Sequence, residues 1–417
     1  MPDRSLRIDV DRLVARIEAL GEIGQVIGPA GERGCARLAL TDDDKAGRDL
    51  VVTWMRDLGL EVEIDAIGNV FATRPGRDPS LAPVMTGSHI DTVRTGGRFD
   101  GNLGVLAGLE VVETLISAGV ETQRGITVAF FTDEEGARFA PDMLGSLVYV
   151  GGMGLEEALD VRAVDGARLG DELDRIGYAG PRPCPAAAFP HRFVELHIEQ
   201  GPVLEDEGVQ IGVVEGVQGI SWTELTLTGQ SAHAGTTPMR LRHDPGHVAA
   251  EIAVAARQIA EQVGGAQVAT VGRVELVPNL VNVVPSVATL TVDLRNTVET
   301  ALQRAEALLA ERVAALAERE GVRVARRTLA RFEPVAFDPG MVATVERTAR
   351  ELGYSTRRMP SGAGHDAQML ARVCPTAMIF VPSVNGLSHN IAEYTPPEDL
   401  ERGANVLLHV LLSEAQQ

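Results

Sequence analysis

The sequence predicts an α/β protein interrupted by a smaller α+β unit, and three observations lead there. Apolar strand-like runs alternate with helix-like segments, and the strands end in polar or charged residues, the pattern of an open α/β sheet with sites at strand ends. Between residues 214 and 329 the order becomes strand–helix–strand–strand–helix–strand with alternating strands, a compact α+β arrangement. At 417 residues the chain also exceeds one ordinary core. The expected division is therefore 1–213 with 330–417 as one domain and 214–329 as an insert.

The elements follow in order. Residues 9–20 read as an amphipathic helix with Val10, Leu13, Val14, Ile17 and Leu20 on one face. A second helix is expected over Ala46–Leu58. "EVEIDAIGNVFATRPG" suits a strand pair with Gly68 and Asn69 in the turn. "APVMTGSHID" is a short apolar strand, "GNLGVLAGLEVVETLISAG" a buried helix closed by Gly119, "GITVAFFTDEE" the next strand and "RFVELHIEQG" another. In the insert, "ISWTELTLTGQ" alternates as an antiparallel strand. "DPGHVAAEIAVAARQIAEQV" is a helix with Asp244 as N-cap and Pro245 in the first turn. "AQVATVGRVELVP" and "PSVATLTVDLRN" are strands, "ETALQRAEALLAERVAALAERE" is a long amphipathic helix and "VRVARRTLARF" a last strand. The α/β style then resumes to the end, and no internal repeat or low-complexity tract occurs.

Composition narrows the function classes. The formal net charge of −20 argues against nucleic-acid binding, which needs basic patches. Lys45 is the only lysine, and the arginines are scattered. Cys35, Cys184 and Cys374 are few and far apart, so a reducing cytoplasm without a disulfide framework is expected. The charged N-terminal segment lacks the apolar stretch of a signal peptide, and no run is long enough to span a membrane.

The chemistry lies in the nine histidines and the acids beside them. His89 ("GSHID"), His197 ("ELHIEQG") and His389 ("GLSHNIAEY") each read alone as a satisfied polar residue. Together with Asp100, Glu134 and Glu135 they fall where separate segments would end on one sheet edge. Imidazole with carboxylate suits zinc, manganese or cobalt. Asp91, two residues after His89, could orient that imidazole from behind. The five ligands His89, Asp100, Glu135, His197 and His389 suit two ions if Asp100 bridges. A separate carboxylate must then move the proton, so the adjacent glutamates would divide the labour.

"GSHIDTVRTGGRFDGNLGVLAG", "TDEEGARF" and "ELHIEQGPVLE" resemble the amidases of hydantoinase/carbamoylase type, relatives of aminoacylase and the glutamate carboxypeptidases. The likeness runs from about residue 10 to about residue 410. It implies a phosphorylase/hydrolase-like catalytic domain with a mixed sheet flanked by helices, and a ferredoxin-like insert serving as lid and dimerisation domain of a homodimer. It implies that His89 and His197 hold one metal and Glu135 and His389 the other, with Asp100 bridging and Glu134 as general base. His233 in "GQSAHAGTTP" would stabilise an oxyanion. Asn282 and Arg295 would bind a substrate carboxylate, for which Arg offers a bidentate fork. Gln200 and Gly364 would line the substrate site, and His365 and Asp366 would support it from behind. Gly212, Gly216 and Gly219 would form a hinge into the lid. Arg240, Arg242, His243 and His247 are left to lid structure, His191 and His409 have no assigned role, and Asp133 orients a ligand or ends its strand.

The activity implied is metal-dependent hydrolysis of the carbamoyl C–N bond of a small N-carbamoyl-L-amino acid. Allantoate and β-ureidopropionate are alternative substrates of the same chemistry. His197 and Gln200 disfavour exopeptidase or deacylase activity. A metal-stabilised protein without catalysis would lack the base or a ligand, and none is missing.

Overall fold

The computed structural model describes residues 5–417; residues 1–4, the head of the N-terminal segment read above as leaderless, lie outside it. The chain divides into two compact units, 1–215 with 336–417, and 216–335. The later seam lies beyond residue 330 because the strand Arg323–Phe332 keeps pairing with Gly219–Thr228 as far as Phe332.

The larger unit is built on a nine-stranded mixed sheet. Its centre is four neighbouring parallel strands in the order Thr376–Val381, Arg192–Ile198, Val84–His89 and Ile126–Phe131. These strands are buried almost throughout, as parallel strands covered on both faces must be. Antiparallel strands flank them, Ile211–Val217 on one side and the hairpin Glu61–Ile64 with Val70–Arg74 on the other. Their parallel direction puts the carboxyl ends of the His89, His197 and Phe131 strands on one edge.

Helix Asn102–Ser117 packs on the central strands and is buried nearly all round. Gly104 allows this: a Cβ there would come 2.7 Å from the Leu196 carbonyl oxygen. Helices Val10–Gly21, Pro339–Glu351 and Pro397–Ala415 pack beside it or on the sheet. The first carries the expected stripe, burying Leu13, Ile17 and Leu20, with Asp9 as N-cap. The second helix begins earlier than expected, at Asp42, because Thr41 caps it and Asp42, Asp43 and Asp44 favour the positive end of the helix dipole.

In the smaller unit an antiparallel sheet runs Val268–Val277, Val287–Asn296, Gly219–Thr228, Arg323–Phe332. Helices Pro245–Val263 and Glu299–Glu320 bury Ile252, Ile259, Leu302 and Leu309 against Leu225, Leu227, Leu290 and Leu294. Gly212 and Gly216 sit inside the strand Ile211–Val217 and Gly219 begins the next strand, so the glycine-rich stretch is extended chain, not loop. Gly212 makes room for Phe380 and Gly219 for Pro334.

Candidate metal centre

Asp100 is the focus of the site. It precedes Gly101, whose φ of 65° opens the turn into helix Asn102–Ser117. A side chain at Gly101 would lie 2.4 Å from the His89 ring, so glycine lets turn and imidazole meet. The Asp100 Oδ1 atom lies 3.1 Å from His197 Nε2 and 3.6 Å from His89 Nε2; Oδ2 lies 3.4 Å from His389 Nε2. Glu135 Oε2 is 3.2 Å from the same His389 nitrogen. Two sets of side chains therefore share Asp100: His89, Asp100 and His197, and Asp100, Glu135 and His389. Within each set the candidate donor atoms lie within 4.8 Å of one another.

The ring orientations fit a cation. His197 Nδ1 faces the Ile198 carbonyl at 2.9 Å and His89 Nδ1 faces the Asp91 carbonyl at 2.9 Å, so each ring donates its Nδ1–H to the main chain. Burial disfavours the His197 imidazolium, while Asp100 and Glu195 favour it and raise its pKa. Yet the Gly101 amide donates to His197 Nε2 at 3.1 Å, leaving no place for a proton there. A cation shared with Asp100 Oδ1, 3.1 Å from the same nitrogen, would have to take that lone pair in the amide's place. His389 is half-exposed, and its bonds to Asp100 and Glu135 lift its pKa to about 10. The carboxylates of Asp100 and Glu135 thus draw protons onto these imidazoles, and a divalent cation would take the protons' place.

The acids 133–135 follow the strand Ile126–Phe131 in a turn fixed from two sides. The amides of Met143, Leu144 and Gly145 donate to the carbonyls of Glu134, Asp133 and Thr132. Asp133 takes a left-handed φ of 54°, and its carboxylate accepts the Phe139 amide at 3.4 Å, which makes it a residue of the turn. Glu134 is buried, belongs to neither set, and places Oε2 3.3 Å from His89 Nε2. Burial pushes its carboxyl well above the ordinary value against the pull of His89.

Asp91 does meet the His89 imidazole, but not through a shared strand face. The strand stops at His89, so Asp91 does not continue its face. Its main-chain carbonyl, not its carboxylate, holds the His89 ring; the carboxylate is 3.9 Å from Nδ1 and instead accepts the Glu134 and Glu135 amides, each at 3.3 Å. Gln200, expected at a substrate, donates through Nε2 to Asp100 Oδ2 at 2.8 Å from a left-handed φ of 59°. His365 lies behind His197, ring centroids 4.5 Å apart, with its Nε2 against Ser361 Oγ. Burial and then His197 hold its pKa well below the ordinary value. Asp366 is fully buried and gives no side-chain cap to the helix it starts, and burial and then Glu195 drive its carboxyl well upward. Gly364 faces Met143, whose Cε would be 2.9 Å from a Cβ.

Two site residues escape sequence reading. Glu195, two residues before His197 on the same strand face, accepts Ser88 Oγ at 2.6 Å and the Ala367 amide at 2.9 Å. An acid inside the apolar run "FVELHI" was its signal. Glu393, four residues after His389, accepts the amides of Phe99 and Asp100.

The remaining expected residues lie in the smaller unit. The two-residue strand of Ala232 and His233 pairs with Val283 and Val284, and the Ala234 amide donates to the Asn282 carbonyl, which brings His233 and Asn282 together. His233 Nδ1 accepts the Gly235 and Thr236 amides, so Nε2 carries the proton and is a donor. Arg295 Nε and Nη2 grip the Asp293 carboxylate, with the guanidinium 5.7 Å from the Trp222 ring centroid.

The family model for peptidase family M20/M25/M40 matches residues 85–413. The chain is 44% identical to the N-carbamoyl-L-amino-acid amidohydrolase of Rhizobium meliloti, covering 100% of this chain and 99% of that one. It is 40% identical to the N-carbamoyl-L-amino acid amidohydrolase of Geobacillus stearothermophilus, covering 98% and 99%. Among solved structures it is similar to an amidase of the hydantoinase/carbamoylase family from Burkholderia multivorans, with a TM-score of 0.95 and 47% identity over 99% of each chain.

Proposed function

The chain belongs to peptidase family M20/M25/M40, and we propose that it hydrolyses the carbamoyl C–N bond of an N-carbamoyl-L-amino acid to give the amino acid, carbon dioxide and ammonia. The observation that carries this is the division of Asp100: one oxygen faces His89 and His197, the other His389, with Glu134 alongside but outside both sets. The substrate class rests on relatives that are similar over nearly their whole length.

In this reading His89, His197 and Asp100 hold one divalent cation, and Asp100, Glu135 and His389 a second; zinc, manganese and cobalt all suit imidazole and carboxylate. When bound, such a pair polarises a carbonyl and acidifies water. Glu134 accepts the water's proton and returns it to the leaving nitrogen, a task that its buried position beside both sets but outside them suits. Gln200 swings between Asp100 and the substrate's polar end, and Gly364 leaves space beside it. The smaller unit, with β-α-β-β-α-β connectivity, is read as a ferredoxin-like lid and dimerisation domain of a homodimer. His233 is read as an Nε2–H donor to an oxyanion, and Asn282 and Arg295 as partners of a substrate carboxylate. Three buried free cysteines are in keeping with a cytoplasmic setting, and no helix among the described residues is long and apolar enough to cross a membrane.

The test is ammonia release from N-carbamoyl-L-amino acids, allantoate and N-carbamoyl-β-alanine in parallel, each with zinc, manganese or cobalt. Turnover confined to the first class supports the reading, and none with any of them sinks it. Two substitutions probe the smaller unit. His233→Ala should lower kcat by about 100-fold, the scale of one lost oxyanion donor, with metal content unchanged; loss of metal would contradict that role. Arg295→Ala should raise KM about tenfold or more for carboxylate substrates, as loss of a charged hydrogen bond does, and an unchanged KM would leave Arg295 to its partner Asp293.

A further inference from the structure

We propose that Glu393 is a positioning residue that sets Asp100 between the two ligand sets and so governs how tightly the second cation is held. The inference rests on the metal-pair reading above and assigns that pair a determinant outside its ligands.

The observations are geometric. Glu393 is buried, and its Oε1 accepts the consecutive main-chain amides of Phe99 and Asp100, each at 3.1 Å. Its Oε2 receives Ser388 Oγ at 3.0 Å, and that hydroxyl lies 3.1 Å from Asp100 Oδ2. One carboxylate therefore fixes the Asp100 main chain directly and touches its side chain through Ser388. It also joins two ligand-bearing segments far apart in sequence, since Ser388 precedes His389 and Glu393 follows four residues later.

The surroundings are shaped for this contact. Gly97 lies so close that a Cβ there would sit 2.0 Å from Glu393 Oε1. The ring of the next residue, Tyr394, packs edge-on against Phe99 with centroids 5.8 Å apart. Thr95 Oγ1 donates to the His389 carbonyl at 3.4 Å, a second tie between the same segments. The His89–His197 side of Asp100 has its own supports, the Asp91 and Ile198 carbonyls and the Gly101 amide. On the His389 side, Gln200 Nε2 donates to Asp100 Oδ2 and Asp91 accepts the Glu135 amide, but the His389 segment itself, half-exposed and with a left-handed φ of 52° at His389, reaches Asp100 through Ser388 and Glu393. Loss of Glu393 should therefore fall mainly on the set of Asp100, Glu135 and His389.

The experiment uses the full chain loaded with zinc, then equilibrated against increasing chelator, with metal counted per chain by mass spectrometry. The visible spectrum of the cobalt-substituted protein serves as a second readout. Three variants separate the effects. Glu393→Ala removes the acceptor, Glu393→Asp keeps the charge but draws it back from the amides, and Glu393→Gln keeps an oxygen that can still accept both. Partners behind metal ligands typically contribute on the order of 10–100-fold to affinity. The Ala and Asp variants should release one of two zinc ions at chelator concentrations lower by that factor and alter the cobalt spectrum, while Gln stays within a few-fold of wild type. Melting of the metal-free proteins should differ little between Gln, Asp and wild type.

Wild-type metal retention in the Asp variant, or Gln as weak as Asp, would overturn the proposal. So would unfolding of all three metal-free variants, which would assign Glu393 to the fold instead. A wild-type chain that binds fewer than two ions would overturn the metal-pair reading itself, whatever the variants do.

Discussion

Glu134→Gln should lower kcat by about 10³-fold, the middle of the range for a lost general base, while the protein keeps its full metal complement. The argument begins with position. Glu134 stands outside both ligand sets, with Oε2 3.3 Å from His89 Nε2, and it is buried. Glutamine fills the same volume and removes the negative charge that burial already strains. What it cannot do is take a proton. Its neighbour should behave oppositely. Glu135 Oε2 lies 3.2 Å from His389 Nε2, so Glu135→Ala takes a donor from the set that shares Asp100 and should release metal. Turnover and metal content measured on both variants decide the matter: metal lost from Glu134→Gln and kept by Glu135→Ala would show the roles reversed. The turn explains how adjacent acids can differ. Their amides bind the two oxygens of one carboxylate, Asp91, and their side chains then diverge toward His89 and His389.

That divergence shows what the sequence could and could not disclose. Strand ends were legible because buried parallel strands write themselves as apolar runs, and the polar residues that close them fall on one edge. His89, His197 and His389 therefore approach Asp100, and Glu135 approaches His389. The spacing of His89 and Asp91 pointed to the right neighbour by the wrong route: period-two reasoning holds only while the strand lasts, it ends at His89, and the Asp91 carbonyl makes the contact. Glu393 was hidden for another reason. It contacts Asp100 across 293 residues of chain, a pairing that no local pattern encodes. Gln200 was recognised as polar and well placed, but which partner its amide chooses depends on a left-handed backbone that sequence does not reveal. The second helix starts at Asp42, ahead of the expected Ala46, because Thr41 caps it by accepting the Asp44 amide.

Arg48→Ala should destabilise the larger unit by about 3–5 kcal/mol, the scale for breaking a buried ion pair from one side. Arg48 and Asp44 are one helical turn apart and both fully buried, with Nε 2.7 Å from Oδ2. The rest of the guanidinium is also committed: Nη1 donates to the Gly68 carbonyl at 2.7 Å and Nη2 to Thr132 Oγ1 at 3.3 Å, and the group lies over Phe130 and Tyr178. Alanine would leave Asp44 charged, buried and without its cation, and would leave the Gly68 carbonyl without this donor. An exposed pair would cost about 1 kcal/mol or less, so urea unfolding separates the two cases, and a loss of that smaller size would refute the argument. Replacing both partners with apolar residues, as in Asp44→Leu with Arg48→Met, should recover much of the loss, because the penalty lies in the stranded charge more than in the missing attraction. Activity should not return with stability in that double variant. Thr132 is the last residue before the turn of Asp133, Glu134 and Glu135, and Arg48 holds it from beneath. A methionine fills the space but offers Thr132 Oγ1 no hydrogen bond, so the turn that separates Glu134 from Glu135 would remain under-supported in a protein that folds well.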